Sequence, residues 1–198
     1  MHLVRGNLTI LQHPRRRLGV CDGRGMTISR KARHSLPFQV AAVCYRLNSR
    51  GIEFLLVNTN GGSKWTFPKG SPSSLLSHSE AAAREALEEA GVRGTIEPRH
   101  FSLYLHSKGV FWKPPGVTEY VVAAFLMEVA QAGNSCEPQR NPTWFNASAA
   151  KEVLASGREV KYARELRAVI DKAVERIRLQ HHHPKPGAQP DPRIIHRL

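Results

Sequence analysis

The sequence predicts an α/β fold, a mixed sheet packed between helices. Three observations carry that reading. Short, partly β-branched apolar runs recur between residues 38 and 146. An Ala-rich stretch ending at Gly91 is bracketed by helix start and stop signals. Residues 158–180 sustain a helical apolar period. A length of 198 residues, 41% of them apolar and 23% charged, suits one domain with a full core and flanking tails.

Bulk properties exclude several classes. No apolar run reaches the roughly 18 residues that a bilayer span needs. The longest candidate, "VVAAFLMEVA", is interrupted by Glu128 and reads as a buried strand, so no membrane partner is expected. Met1 is followed by no apolar segment with a small-residue cleavage site, which argues against a secretory signal. Cys21, Cys44 and Cys136 show neither metal-ligand spacing nor a disulfide framework, as fits a reducing cytoplasm. The net charge of +13 sits mainly in the ends: +7 in residues 1–34 and +2 in residues 181–198, against +4 in residues 35–180. A solvated basic tail is the ordinary meaning of such a distribution, with a weak attraction for polyanions compatible with it.

Taken in order, residues 1–34, with "HPRRRLG" and "GRGMTISRKARH", lack a sustained period and read as a poorly ordered basic extension, in which Met26 offers an alternative start. "FQVAAVCYRL" and "IEFLLVNT" flank the turn signal "NSRG" and predict a hairpin. "FSLYLHS" and "VTEYVVAAFLMEV" are two further strands joined by "KGVFWKPPG". "PTWFN" is a short strand, after which Asn146 caps a helix over "ASAAKEVLA". Tyr162, Leu166, Val169, Ile170, Ala173, Val174 and Ile177 form one stripe of a long amphipathic helix from about Arg158 to Gln180. Residues 181–198 are Pro-rich and read as a tail in which His181, His182 and His183 form no defined metal site. The folded part is therefore expected over residues 35–180.

The chemistry lies in "REALEEAG". Ser77 precedes Glu80 at capping-box spacing, so a helix starts near His78, and Gly91 is a natural terminator. At 100° per residue, Ala83, Ala86, Leu87 and Ala90 share one face and Glu85, Glu88 and Glu89 the opposite one. A solvated charged face is one reading, since Arg84 can pair with Glu80 and Glu88. Yet Glu85 and Glu89 are like charges one turn apart, and Glu88 and Glu89 sit at the negative end of the helix dipole. A divalent cation would remove both penalties, because hard ions favour clustered carboxylate oxygens. Helix physics alone leaves both readings open.

From Gly70 to Val92 the chain resembles the Nudix box, G-x5-E-x7-R-E-U-x-E-E-x-G-U with U aliphatic. Gly70, Arg84, Glu85, Glu88, Glu89, Gly91 and Val92 match, and Ala86 takes the first aliphatic place. Leu76 stands where the pattern has its first Glu. The resemblance, extending over about residues 37–178, implies a Nudix-type α/β/α sandwich and a pyrophosphohydrolase. It implies that Glu85, Glu88 and Glu89 bind magnesium, or manganese, and that Arg84 holds the glutamates in position. Glu88 or Glu89 would supply base assistance. Glu119 is a second base candidate, though an exposed residue on an alternating strand is its plainer reading.

Substrate class follows from the flanks. "KWTFPKG" resembles the W-x-x-P-K-G segment of dinucleoside polyphosphate hydrolases and the matching segment of diphosphoinositol polyphosphate hydrolases. "EVKYARELRAVIDKA" resembles the final helix of both. Lys69 beside Gly70 would set a cation at the mouth of the site, with Lys64, Lys108 and Lys113 adding to its positive lining. Trp65 reads as packing beneath the loop, and Phe111 or Trp112 as candidates to stack on a base. A small polyphosphorylated substrate is expected, dinucleoside polyphosphates ahead of diphosphoinositol polyphosphates and nucleoside triphosphates. RNA 5′-end pyrophosphate removal and a non-catalytic Nudix-like binding module are the rival classes, and the oligomeric state is open.

Overall fold

Strands β1 (Phe38–Asn48) and β2 (Gly51–Asn58) pair antiparallel as the predicted hairpin, in register from Tyr45↔Phe54 to Asn48↔Gly51. The turn is fixed by Asn48 Oδ1, which accepts the Arg50 N–H at 2.8 Å, and by Gly51 at φ 110°, a conformation that only glycine adopts without strain. The computed structural model describes residues 37–60, 62–110 and 116–182. The expected basic extension and the tail from His183 onward lie outside the described residues, which all belong to the unit beginning at Ser35.

Two short strands follow the hairpin, β3 (Trp65–Thr66) against β2 and β4 (Lys69–Gly70) against β1. Next come α1 (His78–Ala90), β5 (Val92–Ile96), β6 (Ser102–Val110), β7 (Gly116–Ala132), β8 (Thr143–Asn146), α2 (Ala147–Ala155) and α3 (Val160–His182). β1 runs parallel to β7 at the centre of the sheet, from Phe38↔Val121 to Tyr45↔Glu128. β5 and β6 pair antiparallel with β7, and β8 pairs antiparallel with β2. Among the described residues this makes one eight-stranded mixed sheet.

The strand period sorts the core into two layers. Val40, Ala42 and Cys44 of β1, with Ala123, Phe125 and Met127 of β7, face α1. Ala41, Val43 and Tyr45, with Val122, Ala124 and Leu126, face α2 and α3. A strand buried on both faces reads as a continuous apolar run, which is why "VAAVCY" and "VAAFLM" look alike. The α3 stripe of Leu166, Val169, Ile170, Ala173 and Ile177 is buried as predicted. The result is the expected α/β/α sandwich.

β3, β4 and β5 are short additions to the sequence-based expectation. Two-residue strands carry no readable period, and β5, "VRGTI", is broken by a bulge between Arg93 and Gly94. α3 includes His181 and His182, which the sequence reading assigns to the tail; no glycine or proline precedes them in the helix. No helix among the described residues is long and apolar enough to cross a membrane.

Candidate active site

Helix α1 starts and stops where its sequence says. Ser77 Oγ accepts the Glu80 N–H at 3.3 Å and Glu80 Oε2 accepts the Ser77 N–H at 2.8 Å, both halves of the capping box. Gly91 closes the helix at φ 69°, its N–H donating to the Leu87 carbonyl at 3.0 Å. The face it buries differs from the helical wheel above. Ala81, Ala82, Ala86 and Ala90 pack on the sheet with Glu89 among them, whereas Ala83 and Leu87 are only half-buried. The buried stripe is thus rotated by about 90° from the all-Ala/Leu face. Its small side chains let the helix lie close to the sheet, and Glu89 finds polar partners there.

The three glutamates consequently occupy three environments. Glu89 is 4% exposed, Glu85 is half-buried, and the Glu88 side chain is 48% exposed. Arg84 bridges two of them, with Nη2 at 3.6 Å from Glu85 Oε1 and Nε at 3.6 Å from Glu88 Oε1. Strand β4 lies against this turn. The Lys69 N–H donates to Glu89 Oε2 at 3.2 Å, and a Cβ added at Gly70 would fall on the Glu85 carboxyl group. Gly70 therefore gives the carboxylate room that any other residue would fill.

The sequence reading missed Arg140. It lies on a 3-10 turn, Pro138–Arg140, and its Nη2 donates to Glu89 Oε1. Its Nε donates to Glu137 Oε2 at 2.7 Å and its Nη1 to the Asn58 carbonyl at 3.1 Å. The same segment is tied to the end of α1: Ser135 Oγ donates to the Glu88 carbonyl at 2.9 Å, and the Gly133 N–H to the Gly91 carbonyl at 2.9 Å. An isolated Arg in "SCEPQRNP" has no period or motif that would have flagged it.

Electrostatics follow from burial. Desolvation pushes the Glu85 carboxyl up, reinforced by the Glu88 charge and opposed by Arg84. Desolvation also pushes Glu89 up, against the opposing pull of Arg140 and Lys69. Glu119 is different. It accepts from Lys161 Nζ at 2.5 Å and Tyr162 OH at 2.7 Å, and these bonds hold its carboxyl below the ordinary range. Its bonds tie β7 to the start of α3.

The remaining predicted residues scatter. Lys64 is exposed and lies on the α2–α3 side, where its Cε would be 3.6 Å from a Cβ at Gly157. Lys108 is on β6, paired in register with Thr118, while Phe111, Trp112 and Lys113 lie outside the described residues. Trp65 packs edge-on against Phe145, with ring centroids 5.0 Å apart, in agreement with its expected packing role. Leu76 is half-buried against the apolar layer beneath α1, alongside Phe38 and Ala83.

In this arrangement Glu89 faces Arg140 and Glu88 faces Arg84. No group of three or more His, Cys, Asp or Glu side chains among the described residues converges to hold a metal ion. The donor set nonetheless fits a hard divalent cation. It consists of carboxylates one turn apart, next to backbone that carries no Cβ at Gly70.

Comparison with known proteins agrees with the box and the sandwich. The NUDIX domain profile matches residues 37–166. The chain belongs to the Nudix family, and it is a Nudix hydrolase, an enzyme class that cleaves phosphoanhydride bonds. Among solved structures it is similar to a Listeria monocytogenes protein described as a NUDIX hydrolase, at 19% identity and a TM-score of 0.51, covering 73% of this chain and 96% of that one. The NUDIX domain of Shewanella oneidensis NrtR, complexed with ADP ribose, matches at 16% identity and a TM-score of 0.50, covering 76% and 94%. A C. elegans Ap4A hydrolase gives 18% identity and a TM-score of 0.48, covering 72% and 99%. At these identities the likeness is one of fold.

Proposed function

We propose that this enzyme hydrolyses a phosphoanhydride in a small polyphosphorylated substrate, a dinucleoside polyphosphate first among them, with a divalent cation held by Glu85, Glu88 and Glu89. The observation that carries this reading is the packing of the Glu85 and Glu89 carboxylates against the Lys69–Gly70 strand, with Glu88 open to solvent beside them. Carboxylates and a lysine side by side suit a phosphate chain whose charge is shared between a metal and an ammonium.

Magnesium or manganese bound there would neutralise phosphate oxygens and make a nearby water more acidic. The chain supplies the rest. Arg84 orients Glu85 and Glu88, and Gly70 leaves space at the Glu85 carboxylate. Lys69 contributes positive charge where the phosphates enter. Glu88, the most exposed of the three, is best placed to accept a proton. Lys108 and Lys113 are assigned to the substrate side on their place in the chain around "KGVFWKPPG", and Lys64 to an outer position. The unpaired thiols of Cys44 and Cys136 support a reducing compartment, the cytoplasm.

A panel of diadenosine polyphosphates, diphosphoinositol polyphosphates, ADP-ribose, nucleoside triphosphates and 5′-triphosphorylated RNA tests the reading, with product release followed under magnesium. The expected outcome is highest kcat/KM on a dinucleoside polyphosphate. Preference for RNA, or binding without turnover on every member, would replace it with one of the rival classes.

A further inference from the structure

Resting on the metal-site reading just given, we infer that Arg140 is the resident counter-cation of Glu89 and that a divalent cation binds by exchanging with it. A buried carboxylate left unpaired is costly, so an ionised Glu89 requires a positive partner whenever no metal is present. The Arg140 side chain is 12% exposed and that of Glu89 5%, which places the pair largely out of solvent. Glu89 Oε2 is already engaged by the Lys69 N–H, and Oε1 is the oxygen that Arg140 holds.

The remaining contacts of Arg140 make exchange feasible. Its Nε and Nη1 are bound to Glu137 Oε2 and the Asn58 carbonyl, neither of which lies on α1. When Nη2 releases Glu89, the guanidinium keeps a carboxylate and a carbonyl and is not stranded. After the exchange the cation lies on Glu85, Glu88 and Glu89, and Arg140 keeps Glu137 as its carboxylate partner. The short segment carrying Arg140 is anchored to α1 through Ser135 and Gly133, so the exchange needs a side-chain shift and no refolding.

A purely structural ion pair and an exchanging one predict opposite results. Loss of a structural pair disorders the site and weakens cation binding. Loss of a competitor strengthens binding, because apparent affinity is reduced by the fraction of sites already occupied. Calorimetric titration of the full chain with Mn2+ distinguishes them. Arg140→Gln is expected to lower the Kd for Mn2+ by about tenfold, and Arg140→Lys, which keeps the charge, to remain near wild type. Equal or weaker binding by folded Arg140→Gln overturns the exchange. If neither wild type nor variant takes up Mn2+, the metal-site reading itself falls, and the exchange with it. Should Arg140→Gln fail to fold, arginine side-chain NMR of the wild type during Mg2+ titration gives the answer. The Arg140 resonances should move as the pair opens, and unmoved resonances with Mg2+ bound would contradict the exchange.

Discussion

At Glu85 a carboxylate is half-buried beside Gly70, with Arg84 at 3.6 Å to offset it. Such a group costs stability when ionised, a common trade at functional sites. Metal-free Glu85→Gln should therefore unfold at higher denaturant concentration than wild type at neutral pH, by about 1 kcal/mol, while losing cation binding. The pH dependence has a definite sign. Glu85 and Glu89 are both held above the ordinary carboxyl range, so their contribution to stability is fully present below the unfolded value, about 4.3. It is lost as pH rises through the folded value. Magnesium bound at the proposed site should reverse that loss, and the rise in Tm it produces should grow from about pH 4 to neutrality. Thermal melts with magnesium and with chelator across that range check it. Gly70→Ala drives a methyl group onto the Glu85 carboxyl, which must shift, and should weaken cation binding in a folded protein, measured by the same calorimetry.

At the scale of elements, α1 presents its glutamates only while its ends are fixed. Ser77→Ala removes the cap and should cost about 1 kcal/mol of stability. Gly91→Ala should cost more, since a Cβ there meets the Gly133 carbonyl oxygen at 2.6 Å in addition to the strain of φ 69°. Urea titration of both variants gives the comparison. These signals were legible in the sequence because capping chemistry is local: Ser77, Glu80 and Gly91 stand at fixed spacings. β1, β2, β7 and the α3 stripe were legible because their apolar period is long. The rotation of α1 was not, because alanine on several faces leaves the wheel without a unique buried side, and the Lys69 and Arg140 contacts to Glu89 come from distant parts of the chain. Arg140 itself was illegible, as its contact with Glu89 spans 51 residues and depends on how the chain returns after β7.

For the whole molecule, the sheet separates the larger apolar layer from the layer under the carboxylate helix. The layer between the sheet and α3 contributes most of the large buried side chains, and Ile170→Ala there should cost about 2–5 kcal/mol without altering the carboxylate cluster. Chemical denaturation of that variant, with kcat measured under folding conditions, should show reduced stability and near-normal turnover. The layer beneath α1 is alanine-rich, and α1 packs there beside β4. Leu76 belongs to that layer, an apolar anchor at the position where the family pattern has a glutamate. On the function proposed here, the remaining box residues are expected to carry the chemistry. One measurement tests this most directly: phosphoanhydride hydrolysis by wild type and Glu88→Gln, each with magnesium and with chelator. Turnover should require the cation and fall by about 10²–10⁴-fold in the variant at unchanged fold. Wild-type turnover that survives the chelator, or a variant as active as wild type, would contradict the assignment of these glutamates to the chemistry.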